Sequence, residues 1–263
     1  MVVGRILELY REGGIRRVKT GITDFVRYWS KENCPELIGK VVELKGDRVS
    51  YHGVTLDLSD SVIGTDLKAR FPLGLYEAAE VELIEERLPP DNPVVELGGG
   101  IGFISCFTNA NIWDVEHVVI EANPELIDVI ETNRELNEAT FKTHHAAYQS
   151  AGETTKFYVH EKFVGGSVQR ETDRVLEVNG ESLAMIVDNF DQEITMIVDI
   201  EGGEFDLLDN ELDILASHCS HLFIEFHKFT DADVKEYEER LLDAGFKLYD
   251  RRNDVRFYET TSR

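Results

Sequence analysis

Positive charge is scarce in this 263-residue chain, which has 27 Lys and Arg against 51 Asp and Glu, a formal net charge of −24 and a pI near 4.6. A basic footprint for nucleic acid is therefore missing. Cysteine is scarce too. Cys34, Cys106 and Cys219 are odd in number, far apart and not in a C-x-x-C pair, which argues against a disulfide framework or a zinc ribbon. Cys106 and Cys219 lie in apolar surroundings and read as small buried hydrophobes. No apolar run is long enough to span a membrane. Charges interrupt the apolar residues of the opening MVVGRILELYREGG, which is not a signal-peptide layout. The expectation is a soluble cytoplasmic protein with one α/β domain and a modest N-terminal addition.

The acid is unevenly spread. Residues 1–48 carry ten Lys or Arg against seven Asp or Glu, and the remainder seventeen against forty-four. A basic leader on an acidic body suggests a separate role for the leader. Within it, Ile15, Val18, Ile22, Phe25, Val26 and Trp29 recur at helical spacing among Arg16, Arg17, Lys19 and Arg27. That pattern predicts a helix whose apolar face either packs on the protein or rests on an anionic membrane surface through residues 1–30. The acidic body, with Arg outnumbering Lys, resembles proteins of salt-loving archaea.

Beyond the leader, residues 40–57 predict a short β-meander, Val41–Leu44, Arg48–Tyr51 and Val54–Leu56, with glycines in its turns. The boundary expected from this is residues 1–60 as a helical and β-meander extension and residues 61–263 as the main domain. A helix follows from Gly74 to about Arg87, stopped by Pro89 and Pro90. Strands are then predicted at Val94–Leu97, His117–Glu121, Phe141–Ala147, Thr195–Ile200 and His221–His227, with helices between them. Weaker strand candidates are Thr155–Val159 and Arg174–Val178. A helix at Asp233–Ala244 and two closing strands, 246–249 and 255–259, finish the chain. Strands alternating with helices argue for a mostly parallel sheet covered on both faces.

The most informative stretch is Val94–Ile104. An apolar strand ends in Gly98, Gly99, Gly100 and Gly102, and a helix follows. Glycines allow positive φ and let a ligand approach the backbone closely. A dinucleotide fingerprint would need a third glycine at Phe103; the spacing here is instead E-x-G-x-G-x-G, from Glu96 to Gly102. In open α/β sheets ligands bind outside the carboxyl ends of the strands. Those ends carry Glu96, Glu121, Asp199, Glu201, Glu225 and His227. Buried charge is costly unless paired, so acids gathered at one edge call for a cationic ligand or a metal. Glu121 stands 23 residues after Gly98, close to the spacing at which an acid grips ribose hydroxyls.

The glycine motif resembles the first motif of class I S-adenosyl-L-methionine (SAM) methyltransferases. Four blocks extend the resemblance to a family. Phe71-Pro72-Leu73-Gly74-Leu75-Tyr76-Glu77, then Glu96-Leu97-Gly98-Gly99-Gly100-Ile101-Gly102, then Asp199-Ile200-Glu201-Gly202-Gly203-Glu204, then Ile224-Glu225-Phe226-His227 are similar to the FkbM methyltransferases. The resemblance covers roughly residues 72–228. It implies a class I Rossmann-like domain, a seven-stranded mostly parallel sheet with an antiparallel edge strand. It implies SAM as cofactor and O-methylation of sugars or other hydroxyl-bearing metabolites. The chain departs from the family at Ile197, where Lys often stands, and at Ser167-Val168.

On this reading Glu121, with Ala122 beside it, holds the ribose, and Glu96 lies near the methionine amino group. Gly98, Gly100 and Gly102 place the cofactor, the backbone at Ala146 and Ala147 meets the adenine, and Tyr76, Glu77 and Asp199 close the methionine end. His144 and His145 point to opposite faces of a strand and cannot both line one pocket. An alcohol is a poor nucleophile and needs a base. His227 or Asp199 is the expected base, with Glu201 and Glu225 orienting it or the substrate. These four side chains would also suit a divalent metal, although none is assigned. The expected acceptor is a hydroxyl, or a carboxyl, of a sugar, a glycan or a related small molecule, with a lipid-linked glycan the form suggested by the basic leader. Competing functions are a non-catalytic SAM-binding regulatory subunit and an aminopropyltransferase on the same fold. An NAD-dependent dehydrogenase is disfavoured by Phe103.

Overall fold

A computed structural model describes residues 35–159, 166–167, 174–227 and 233–260. The leader helix expected over residues 2–29 and Val168 lie outside the described residues. At the centre is a seven-stranded sheet of β3 (Val94–Leu97), β4 (His117–Glu121), β5 (Lys142–His145), β11 (Ile194–Val198), β12 (Cys219–Glu225), β13 (Phe246–Arg252) and β14 (Val255–Thr260), in the order β13-β14-β12-β11-β3-β4-β5. Neighbouring strands from β12 to β5 run parallel, and β14 runs antiparallel to both β12 and β13. The expected mostly parallel sheet is present, with the reversed strand one place in from the edge. Two turn residues, Asn253 and Asp254, join β13 to β14, which is why the chain reverses there.

The period of two along a strand sorts the core into two faces. Val94, Ile197, Phe223 and Phe257 pack on one side, and Val95, Leu97, Met196, Val198, Leu222, Ile224 and Tyr258 on the other. The first face is covered by α3 (Ala78–Arg87), α4 (Phe103–Asn109) and α5 (Pro124–Leu136). The second is covered by α6 (Leu183–Val187), α7 (Glu204–Asn210), α8 (Leu212–His218) and α9 (Val234–Asp243). Asn123 begins α5 by accepting the Glu125 N–H, with Pro124 at the first helical position.

Ahead of the sheet stand α1 (Pro35–Leu44), the hairpin of β1 (Arg48–Tyr51) and β2 (Val54–Asp57), and α2 (Thr65–Leu73). The hairpin matches expectation, but Val41–Leu44 is the last turn of a helix rather than a strand. Two-residue alternation is ambiguous over four residues, and the decisive contact is tertiary. Gly39 lies so close to Thr65 that an added Cβ would stand 2.0 Å from its carbonyl oxygen, which binds α1 to α2. The expected strand 141–147 also divides. Ala147–Tyr148 forms β6, which pairs with β10 (Gly180–Glu181) outside the main sheet. A small antiparallel sheet of β7 (Thr155–Val159), β8 (Gly166–Ser167) and β9 (Val175–Val178) lies beside it.

Candidate active site

The glycine turn between β3 and α4 forms the floor of the site. Gly98, Gly100 and Gly102 all have positive φ, at 93°, 53° and 78°, a region that side chains rarely adopt. The three differ in surroundings. A Cβ on Gly98 would lie 1.7 Å from the Asp199 carbonyl oxygen, and one on Gly102 3.2 Å from Ile130 Cα. At Gly100 the nearest atom is the Tyr76 hydroxyl at 3.6 Å. Gly98 and Gly102 therefore let strands and helices approach, while Gly100 presents bare backbone to an open pocket. That pocket is lined by Tyr76, Glu77, Glu80, Glu96, Gly98, Gly99, Gly100, Phe103, Ile104, Ile197 and Asp199.

Glu121 ends β4 beside this turn and is 6 % exposed. Its carboxylate accepts the Gly100 N–H at 2.8 Å and the Asn123 N–H at 2.6 Å. Burial pushes its pKa up to about 7, although those backbone donors pull the other way. Ala146 N–H bonds the Glu121 carbonyl, so Ala146 and buried Ala147 adjoin the same corner, and Ala122 packs against the small apolar cluster that includes Ala147. The sequence-predicted ribose and adenine residues are thus brought together. Glu96 is buried, accepts the Ser105 hydroxyl at 2.8 Å and lies 3.4 Å from His117 Nε2. His144 and His145 are both exposed on β5 and stand apart from this pocket lining.

The other half of the site follows from strand phase. Glu96, Asp199 and Glu225 continue the face that carries α3, and that helix brings Glu77 and Glu80 to meet them. The carboxylate oxygens of Glu77, Glu80, Asp199 and Glu225 lie within 4.8 Å of one another. Glu77, in a left-handed conformation, is the N-cap of α3. Burial first, and then the neighbouring carboxylates Glu77, Asp199 and Glu225, push Glu80 well above the usual carboxylate range. Asp199 is raised well above it for the same reasons. Burial also raises Glu77, against the pull of Arg70, and lifts Glu225 to about 7. Such a set of oxygens is close enough to gather round a single positive charge.

His227 stands at the end of this group. Its Nδ1 is 3.0 Å from Glu204 Oε1, and its Nε2 is 3.6 Å from Asp199 Oδ1 and 3.9 Å from Glu201 Oε2. Burial works against the imidazolium, but the bond to Glu204 and the surrounding carboxylates outweigh it and raise the pKa to about 9.

Sequence reasoning missed Glu80 and gave Glu204 no role. Glu80 could have been found as an acid on the otherwise apolar side of α3, one turn after Glu77. Glu204 could have been found as an acid at the head of a helix opening with Phe205. Ile197, at the position where the family often has Lys, lines the pocket as an apolar side chain.

The residues present suit SAM. The open backbone at Gly100, the buried carboxylate of Glu121 and an acid-lined wall match a ligand carrying ribose hydroxyls, a sulfonium and an ammonium group. The Methyltransferase FkbM domain family matches residues 96–248, more than half of the chain. A search of curated proteins found no match. Among solved structures, a precorrin-6y C5,15-methyltransferase from Geobacter metallireducens is similar at 14% identity, covering 71% of this chain and 88% of that one, with a TM-score of 0.44. An rRNA methylase from Streptococcus thermophilus is similar at 11% identity, covering 70% and 95%, with a TM-score of 0.45. A ribosomal protein L11 methylase from Lactobacillus delbrueckii subsp. bulgaricus is similar at 14% identity, covering 69% and 75%, with a TM-score of 0.41. These likenesses are too distant to bear on the acceptor. On its family match, its sheet order and its glycine turn with Glu121, the chain belongs to the FkbM family of SAM-dependent methyltransferases.

Proposed function

We propose that this enzyme transfers the methyl group of SAM to a hydroxyl of a sugar, a glycan or a similar hydroxyl-rich small molecule. The observation that carries this reading is the ring of carboxylates from Glu77, Glu80, Asp199 and Glu225 beside the glycine turn. Beside the cationic cofactor, which favours their ionised form, these carboxylates only accept hydrogen bonds, so a wall built from them suits an acceptor rich in O–H donors. It disfavours a carboxylate acceptor, which would meet like charge. A nucleic-acid acceptor is disfavoured by the net charge of −24.

The bound cofactor supplies an electrophilic methyl group on a positively charged sulfur. The chain's own residues do the rest. Glu121 accepts from the ribose hydroxyls, and the Gly98–Gly102 backbone sets how deep the nucleoside sits. Glu96, Glu77 and Asp199 offer negative charge to the methionine end. Tyr76 and Phe103, packed at 5.7 Å between ring centroids, keep that end dry. Holding acceptor and methyl group in line supplies on the order of 7–11 kcal/mol of the barrier lowering. The acid-rich surface is adapted, on this proposal, to work at high salt. No helix among the described residues is long and apolar enough to cross a membrane.

The test is transfer of labelled methyl from SAM to a panel of free sugars, glycolipids, carboxylic acids and RNA. Label appearing on hydroxyls supports the proposal. Label confined to carboxylic acids or RNA, with none on hydroxyls, contradicts it.

A further inference from the structure

Among the acids of the site, Glu204 differs from the rest. Glu77, Glu80, Asp199 and Glu225 face one another. Glu204 is fully buried and already has three hydrogen-bond partners, the Ile200 N–H at 3.1 Å, the Gly202 N–H at 2.9 Å and the His227 Nδ1 at 3.0 Å. It sits at the first residue of α7, at the end of a loop in which Glu201 and Gly202 both have positive φ. Loop, helix and β12 are thereby tied at one carboxylate. The two backbone donors fix where that carboxylate lies, and the carboxylate fixes which way the imidazole turns.

We propose that Glu204 is a positioning residue that holds His227 by Nδ1 so that Nε2, aimed at Asp199 on the pocket wall, takes the acceptor's proton. This rests on the O-methyl transfer reading above. Because a carboxylate only accepts, Nδ1 must carry the hydrogen, which leaves the lone pair of a neutral ring on Nε2. When the acceptor oxygen forms its new bond to carbon, the carbon–sulfur bonding pair stays with sulfur and the hydroxyl proton passes to Nε2. The imidazolium so formed faces Glu204 and Glu201 from α7 and its loop, Asp199 from the end of β11, Glu225 from β12 and Glu77 from the head of α3. Those carboxylates stabilise it and make the ring a stronger base. Glu204 acts only through His227, whereas His227 meets the reacting atoms.

The geometry has a readout that needs no turnover. Nitrogen NMR of the cofactor-free protein above pH 9 should show the His227 ring with hydrogen on Nδ1. The opposite tautomer would overturn the proposal. Glu204→Gln should move the His227 titration, and with it the acidic limb of kcat/KM, to lower pH by roughly one unit; an unmoved titration would overturn it. His227→Ala should lower kcat by roughly 10²–10⁴-fold with SAM affinity kept. Added imidazole should restore part of that loss, so turnover unchanged in this variant, or no rescue, overturns the base assignment even where Glu204→Gln fails to fold. Wild-type protein that binds no SAM would instead reject the underlying reading, which these outcomes do not mimic.

Discussion

On the proposed site, Gly98 and Gly100 separate folding from cofactor binding. Both have positive φ, so alanine costs about 1 kcal/mol or more of backbone strain at either. At Gly98 the new Cβ also strikes the Asp199 carbonyl, in backbone that cannot move without parting β3 from β11. Gly98→Ala should destabilise the protein by roughly 4 kcal/mol or more, or prevent folding. Gly100→Ala meets no such obstacle and should cost about 1–2 kcal/mol while sharply weakening SAM binding. Denaturant melts and calorimetric titration of both variants check this; equal behaviour would contradict it.

The raised acids predict a pH dependence. Glu121 is lifted from the ordinary carboxylate range to about 7, so its contribution to stability is present at low pH and lost as pH rises through about 7. For so buried a group that loss is on the order of 3 kcal/mol. A positively charged cofactor favours the ionised acids, so SAM binding should release protons and strengthen from pH 5 to pH 8. Titration in buffers of different ionisation enthalpy measures the release. Glu121 was legible in the sequence because it ends a strand at a recognisable distance from the glycines. Glu80 and Glu204 were not, because an acid on a helix reads as solvated until the sheet beneath it is known.

Helix α6 shows that not every buried acid serves the site. It has five residues and opens at Ser182, whose hydroxyl accepts the Met185 N–H. Glu211, at the junction of α7 and α8, completes the cap by accepting the Leu183 and Ala184 N–H groups and the Tyr148 hydroxyl. Glu211→Ala would leave those donors buried and unpaired, at about 1–3 kcal/mol each before relaxation. The expected result is a clear drop in thermal midpoint with SAM affinity unchanged; weakened SAM binding in a folded variant would contradict it.

The order of strands and helices was readable from alternating apolar runs, because β3, β4 and β11 are buried along their whole length and bounded by turns. The head of the chain was harder. Val41–Leu44 became helical through a contact with α2 that the local pattern does not record. The β1–β2 hairpin is tied to α5 through Asn137, which bonds the Thr55 N–H and carbonyl, and Asn133, which accepts the Asp57 N–H. Asparagines inside an apparently ordinary helix gave no sign of that tie.

Across the whole molecule, 51 acids against 27 bases repel one another at low ionic strength. Raising potassium chloride from about 0.1 M to about 1 M shortens the screening length from about 10 Å to about 3 Å. The thermal midpoint should rise; a fall would contradict the high-salt proposal.

On the proposal made above, the pocket above the glycine turn takes SAM, with Glu121 as the ribose anchor. This is tested most directly by thermal shift with SAM, its demethylated product and NAD, on the wild-type protein and on Glu121→Ala. SAM and its product should stabilise the wild-type protein, NAD should not, and the variant should lose the SAM effect. Stabilisation by NAD without any by SAM would contradict it.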